Sequence, residues 1–212
     1  MTRRLFLVLY SFCLVLFAAL CGPAAPAAAE SLDARLFHQI HDRWQRPWLD
    51  ASMDGLSWLG GTTGNLAVCA GVGLFCGQRG RDAAKLALAA DAGSALVTFG
   101  LKNAVNRPRP EGTFTRSNSS FPSGHATAAF ALATVFAHEY PKLSIPCYAL
   151  ASGIALSRVY LDRHYPSDVL AGAVIGFAMA KLALHFRDQI LGFEIPPQKT
   201  EKVKAISDMD TH

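Results

Sequence analysis

The sequence predicts an all-α protein, a polytopic bundle of about six membrane-crossing helices, and three observations predict it. Of its 212 residues, 51% are hydrophobic and only 17% charged. Six stretches are apolar enough to serve as spans, given that a bilayer core about 30 Å thick takes about 20 residues of helix. Basic residues gather at alternate ends of those stretches, as expected where short cytoplasmic loops carry the lysines and arginines.

The first stretch, 5–22, follows Arg3 and Arg4 and precedes the small-residue run 24–29. It reads equally as a first span or as a secretory signal peptide, and cleavage would leave five spans. Residues 31–48 mix Leu32, Phe37, Ile40, Trp44 and Trp48 with His38, His41, Asp42, Arg43 and Arg46. That composition suits a helix lying along the interface. Spans follow at roughly 57–77, 83–101, 124–138, 143–161 and 169–186. The stretch 124–138 is short and Ala-rich, and would pass for a buried soluble helix if its neighbours were not spans. After Ile195, Pro196, Pro197 and mixed charges supply too little apolar surface for a core. The chain divides into a signal-like segment or first span (1–29), a periplasmic or interfacial segment (30–56), a transmembrane core (57–188) and a cytoplasmic tail (189–212).

The formal charge of +4 is too small and dispersed to argue for nucleic acid. Cys13, Cys21, Cys69, Cys76 and Cys147 lack the paired spacing of a metal site or disulfide framework. Placing Arg3, Arg4, Arg79, Arg81, Lys85, Lys142, Lys181 and Arg187 inside puts 23–56, 102–123 and 162–168 outside. One outer loop then breaks the charge rule, with Lys102, Arg107, Arg109 and Arg116 against a lone Glu111. Lipid headgroups tolerate such residues, and an anion site would require them.

Three clusters sit at outer span ends: KNAVNRPRP (102–110), PSGH (122–125) and SRVYLDRHYPSD (157–168). Pro122 and Pro166 each read as the first residue of a helix, where a missing N–H costs nothing. The free amides at Ser123, Gly124 and His125, with the positive end of the helix dipole, then form a phosphate cradle. Lys102, Arg109 and Arg158 offer fixed positive charge, the guanidinium groups in a forked geometry suited to phosphate oxygens. Singly, each would serve as an interfacial anchor. His164 precedes Asp168 by one helical turn, so the carboxylate can accept an imidazole N–H and leave the other nitrogen free to attack phosphorus. His125 can protonate the leaving group.

These residues match a family pattern: Lys102, six residues, Arg109 and Pro110; then Pro122, Ser123, Gly124 and His125; then Ser157, Arg158, His164 and Asp168. The sequence strongly resembles the type 2 phosphatidic acid phosphatase superfamily, which also holds polyprenyl diphosphatases, soluble acid phosphatases and vanadium haloperoxidases. The match covers roughly residues 50–188. The resemblance implies His164 as nucleophile through a phosphohistidine, Asp168 as its partner, His125 as general acid, and Lys102, Arg109, Ser123, Gly124 and Arg158 as phosphate ligands. It implies no metal and no cofactor. Arg107 and Arg163 fall outside the pattern and are read as rim contacts.

The expected function is hydrolysis of a lipid phosphate or diphosphate at the outer face of a bacterial inner membrane. Undecaprenyl diphosphate, phosphatidate, phosphatidylglycerol phosphate and lipid A phosphates are the candidate substrates, the first slightly preferred by family analogy. A phosphotransferase using the same site and a non-catalytic module that binds or transports anionic lipid are the alternatives; oligomeric state is not legible. Asp91 lies inside a span, where an ionisable group is costly. It falls about 16 Å along the helix from Lys102, too far to touch the transferred phosphate, and is read as a polar contact between helices.

Overall fold

The computed structural model describes residues 31–112 and 118–192, and among these every regular element is helical. Helix α1 (Leu32–Trp44) leads through Gln45 and Arg46 into α2 (Pro47–Leu59); α3 (Thr62–Phe75), α4 (Gly77–Val105) and α5 (Gly124–Glu139) follow. A short 3-10 turn (Pro141–Leu143) precedes α6 (Ser144–Tyr160), then come α7 (Pro166–His185) and the brief α8 (Arg187–Leu191). The expected first span, 5–22, and most of the expected tail lie outside the described residues.

Among the described residues two helices, α4 with 29 residues and α7 with 20, are long and apolar enough to cross a membrane. The stretch read as one span over 57–77 is instead broken at Gly60 and Gly61. Gly61 is extended (φ −77°, ψ 170°), and the Gly60 carbonyl accepts a bond from Asn65 Nδ2 at 3.3 Å. Helix α3, at about 1.5 Å per residue, is only about 21 Å long. At the far end of α4 the chain turns through Asn106 in the left-handed region (φ 55°), which asparagine tolerates better than most residues.

Helix α5 is the axis of the bundle, buried along nearly its whole length. Its alanines explain themselves there: Ala126, Ala129, Ala131 and Ala133 let α4, α6 and α7 close around a narrow central rod. The crossing with α7 is tightest. A Cβ on Gly172 would stand 2.6 Å from the Ser123 carbonyl oxygen, and one on Gly176 would stand 2.1 Å from that of Thr127. Large apolar side chains instead face outward, including Leu66, Leu74, Phe75, Leu96, Ile145 and Leu170. Such an exterior around a core holding Asn65, Thr98, Thr127 and Thr134 is the arrangement a hydrocarbon solvent selects.

At the end where α5 finishes, the buried Glu139 carboxylate accepts a bond from Arg187 and lies 4.0 Å from Arg79. Arg187 also reaches Asp82 at 3.8 Å, and Arg79 lies over the Tyr140 ring at 5.0 Å.

Candidate active site

At the opposite end the three sequence clusters converge. The starts of α5 and α7 are stitched together by the Ser123 N–H, which donates to the Asp168 carbonyl at 3.0 Å. Ser123 caps α5, its Oγ accepting from Ala126 N at 3.5 Å. Pro166 is the first residue of α7, as its type predicts. Pro122 is not the first residue of α5: it precedes the cap, and Gly124 opens the helix. At the start of α7 the amides are taken, Ser167 N by Asp33 Oδ1 at 2.9 Å and Asp168 N by the Tyr165 carbonyl at 3.0 Å, so among the described residues it is α5 that offers free amides, at Gly124 and His125.

His164 is 2% exposed. Its Nδ1 lies 2.8 Å from the Ser120 carbonyl oxygen and 3.7 Å from Asp168 Oδ2. The spacing of His164 and Asp168 suggested a direct bond between them; the hydrogen bond goes to Ser120, with the carboxylate in ion-pair range behind it. A carbonyl can only accept, so Nδ1 carries the proton and Nε2 keeps its lone pair. Burial pushes the imidazole down to about 4, against the opposing pull of Asp168. It is therefore a neutral base at ordinary pH.

Asp168 is fully buried and is held by donors on every side. It accepts from Tyr165 N at 2.9 Å, from Arg107 Nη1 at 2.7 Å and from Ser120 Oγ. Arg107 also donates to Ser167 Oγ at 2.8 Å and to Asp33 Oδ2 at 2.6 Å, with its guanidinium centre 4.1 Å from the Tyr165 ring centroid. Burial pulls the Arg107 pKa down, but Asp168 and Asp33 outweigh it and raise it. Asp33 Oδ1 in turn accepts from Ser167 N at 2.9 Å. The residue read as a rim contact is thus an internal strut, tying the start of α1 to the carboxylate behind His164. Neither Ser120 nor Asp33 was singled out in the sequence, because nothing in local spacing brings Asp33 beside Ser167, 134 residues on.

Lys102, Arg109, Arg158, His125 and His164 lie close enough to feel one another's charge. Lys102 Nζ donates to the Ser119 carbonyl, and Arg109 donates to Asn118 at 3.1 and 2.6 Å. Arg158 Nη1 donates to Ser57 Oγ, while its Nε is buried without a partner. Arg163 takes Glu111. Three cations therefore rest on neutral groups around two histidines, an arrangement that suits a polyanion. Lys102, Gly124 and His125 also line a cavity of about 490 Å³ that runs down between α3, α4 and α5.

A family model described as the PAP2 superfamily matches residues 83–191. Phosphatidylglycerophosphatase B of Bacillus subtilis is 31% identical over 202 residues, covering 87% of this chain and 96% of that protein. A lipid A 1-phosphatase of Porphyromonas gingivalis is 39% identical over 111 residues, covering 49% of this chain and 24% of that one. The chain spans between 24% and 50% of the lipid A 1-phosphatases it matches. Among solved structures, Aquifex aeolicus LpxE is similar with a TM-score of 0.65 and 26% identity, over 75% of this chain and 98% of that one.

Proposed function

The chain belongs to the PAP2 superfamily, and on that premise we propose that it is an integral membrane phosphatase that hydrolyses a lipid phosphate or diphosphate through a phosphohistidine. The observation that carries the proposal is the buried His164, with Nδ1 spent on Ser120, beside three cations that rest on neutral partners.

The phosphate lodges among Lys102, Arg109, Arg158, the Ser123 hydroxyl and the Gly124 amide. His164 Nε2 then attacks phosphorus in line with the lipid oxygen. A P–N bond forms as the P–O bond to the lipid breaks, and His125 gives its proton to the departing oxygen. Water next attacks the phosphohistidine and yields its proton to His125, releasing orthophosphate and restoring both imidazoles. Asp168, anchored by Arg107, faces the imidazole as it becomes cationic. The cations stabilise charge spreading over the transferring phosphoryl oxygens.

The relatives matched are named for lipid A 1-phosphate, phosphatidylglycerophosphate and undecaprenyl diphosphate, which supports a lipid phosphate as substrate class. The apolar exterior supports a membrane-embedded bundle, and the sequence count of about six spans, with the site facing the periplasm of a bacterial inner membrane, is part of the proposal. Impermeant labelling of single cysteines in intact cells should reach position 163 but not position 81; the reverse pattern would place the site in the cytoplasm. The deciding experiment for activity is phosphate release by purified protein across a panel of lipid phosphates and diphosphates. No release from any member, with the fold intact, would favour a lipid-binding module.

A further inference from the structure

The cavity that begins at Lys102 and His125 does not end at the phosphate. It follows one stripe of α4, past Phe99, Ala95 and Ala92 to Asp91 and Leu88. Asp91 and Ser94 lie about 16 and about 12 Å below Lys102 at 1.5 Å per residue. For a passage meant only for hydrocarbon, that floor is wrong. Ser94 is 1% exposed, it lines the cavity, and its hydroxyl has no partner. Asp91 lines the same cavity, and among the described residues its carboxylate has no hydrogen bond or ion pair, its one electrostatic neighbour being the Cys69 thiol. Of the contact with a neighbouring helix expected for Asp91, there is proximity to Cys69 of α3 without a hydrogen bond. An unmade hydrogen bond in a membrane interior is costly, and a carboxylate more so.

We propose that Asp91 and Ser94 form a second binding site, a polar floor that recognises a hydrogen-bond donor, a hydroxyl or an amide N–H, carried in the apolar portion of the substrate. The inference rests on the lipid phosphatase reading and deepens it. A lipid whose phosphate sits among Lys102, Arg109 and Arg158 lays its adjoining carbon skeleton along the α4 stripe, bringing atoms about 12 to 16 Å from phosphorus over Ser94 and Asp91. If ionised, Asp91 needs a donor; if protonated, it both donates and accepts. A hydroxyl or amide satisfies it in either state, and a polyprenyl chain satisfies it in neither. The floor thus favours hydroxylated or amide-linked chains over plain hydrocarbon ones, because a site built for a polar group is left unpaired by an analogue that lacks it.

The test uses the full chain in detergent and lipid phosphates of one headgroup and chain length, with a single hydroxyl stepped along the chain. The expected result is a KM minimum at one position, at least about tenfold below the unsubstituted lipid. Ser94→Ala should shrink that minimum and Asp91→Leu should flatten it, while thermal melts report whether each variant folds. A flat profile in the parent protein, with normal turnover, overturns the polar floor alone and leaves water as its occupant. A minimum that persists in both variants also overturns it. No turnover of any lipid in the series overturns the phosphatase reading along with it.

Discussion

Where α5 ends, Arg187 and Arg79 meet a buried carboxylate on Glu139, and Asp82 stands behind. Where α5 begins, Lys102, Arg109 and Arg158 rest on Ser119, Asn118 and Ser57, all neutral. The nearby carboxylates are engaged elsewhere, Asp168 and Asp33 with Arg107 and Glu111 with Arg163. Both ends pull arginines partly out of water and pair some with acids, but the site end also leaves Lys102, Arg109 and Arg158 on neutral partners. Partly desolvated cations without carboxylate partners favour an anion beside them, so the imbalance supports the proposed place of the substrate's phosphate. The matched end closes the bundle and needs no visitor.

The largest expected effect tests that contrast directly. His164→Ala should lower phosphate release by at least about 10³-fold, and Lys102→Met or Arg158→Met by about 10² to 10³-fold each. Arg187→Gln should change kcat/KM less than about threefold while lowering the melting temperature by a few degrees. An equal catalytic loss from Arg187→Gln would erase the distinction between the ends.

Arg107 sharpens the comparison, since it sits at the site end but behaves like the matched arginines of the other. Arg107→Gln should lower kcat by about 10 to 100-fold with little change in KM, because it acts through Asp168 and not on substrate. Arg107→Lys should restore part of the loss. A rise in KM at constant kcat would instead make it a phosphate ligand.

A smaller effect concerns pH. Because burial holds His164 near 4, the acidic limb of kcat/KM should fall near pH 4 and not near the ordinary histidine value of about 6.5. Stability follows the same group. As pH falls from about 6.5 toward 4, the unfolded chain takes up the proton first, so the contribution is whole above that window and lost across it. Melting curves in detergent should show the loss, and His164→Asn should remove it. The smallest expected effect is that of EDTA, which should leave turnover within about twofold, since Asp168 is already saturated by Arg107, Ser120 and Tyr165. Loss restored by magnesium would refute a site run on protein cations alone.

The sequence made the helices and the motif residues legible for a simple reason. Apolar run length reports helices, two of which among the described residues are long and apolar enough to cross a membrane, and Lys102, Arg109, His125, Arg158, His164 and Asp168 sit at fixed offsets within short segments. What escaped was set by tertiary contact. The partner of His164 is a backbone carbonyl, which any residue supplies. Arg107 looked peripheral because its two carboxylates come from α1 and α7. The break at Gly60 and Gly61 was hidden because the apolar run continues through it, and Pro122 misled because a proline two residues before a helix resembles one inside it.

The glycine crossing of α5 and α7 has a mechanical consequence. Gly176 lies about 12 Å along α7 from Asp168 and packs on the Thr127 carbonyl, two residues along α5 from His125, so the crossing acts as a fulcrum with a long arm on α7 and a short one on α5. A tilt of about 5° about that pivot moves the start of α7 by about 1 Å, a misplacement of the size that costs about 10²-fold in catalysis. The spacing between the proposed attacking and protonating imidazoles is therefore gauged by Gly172 and Gly176, two positions that carry no chemistry of their own. A methyl group added at the fulcrum would detune the enzyme without altering a single residue that meets the phosphate.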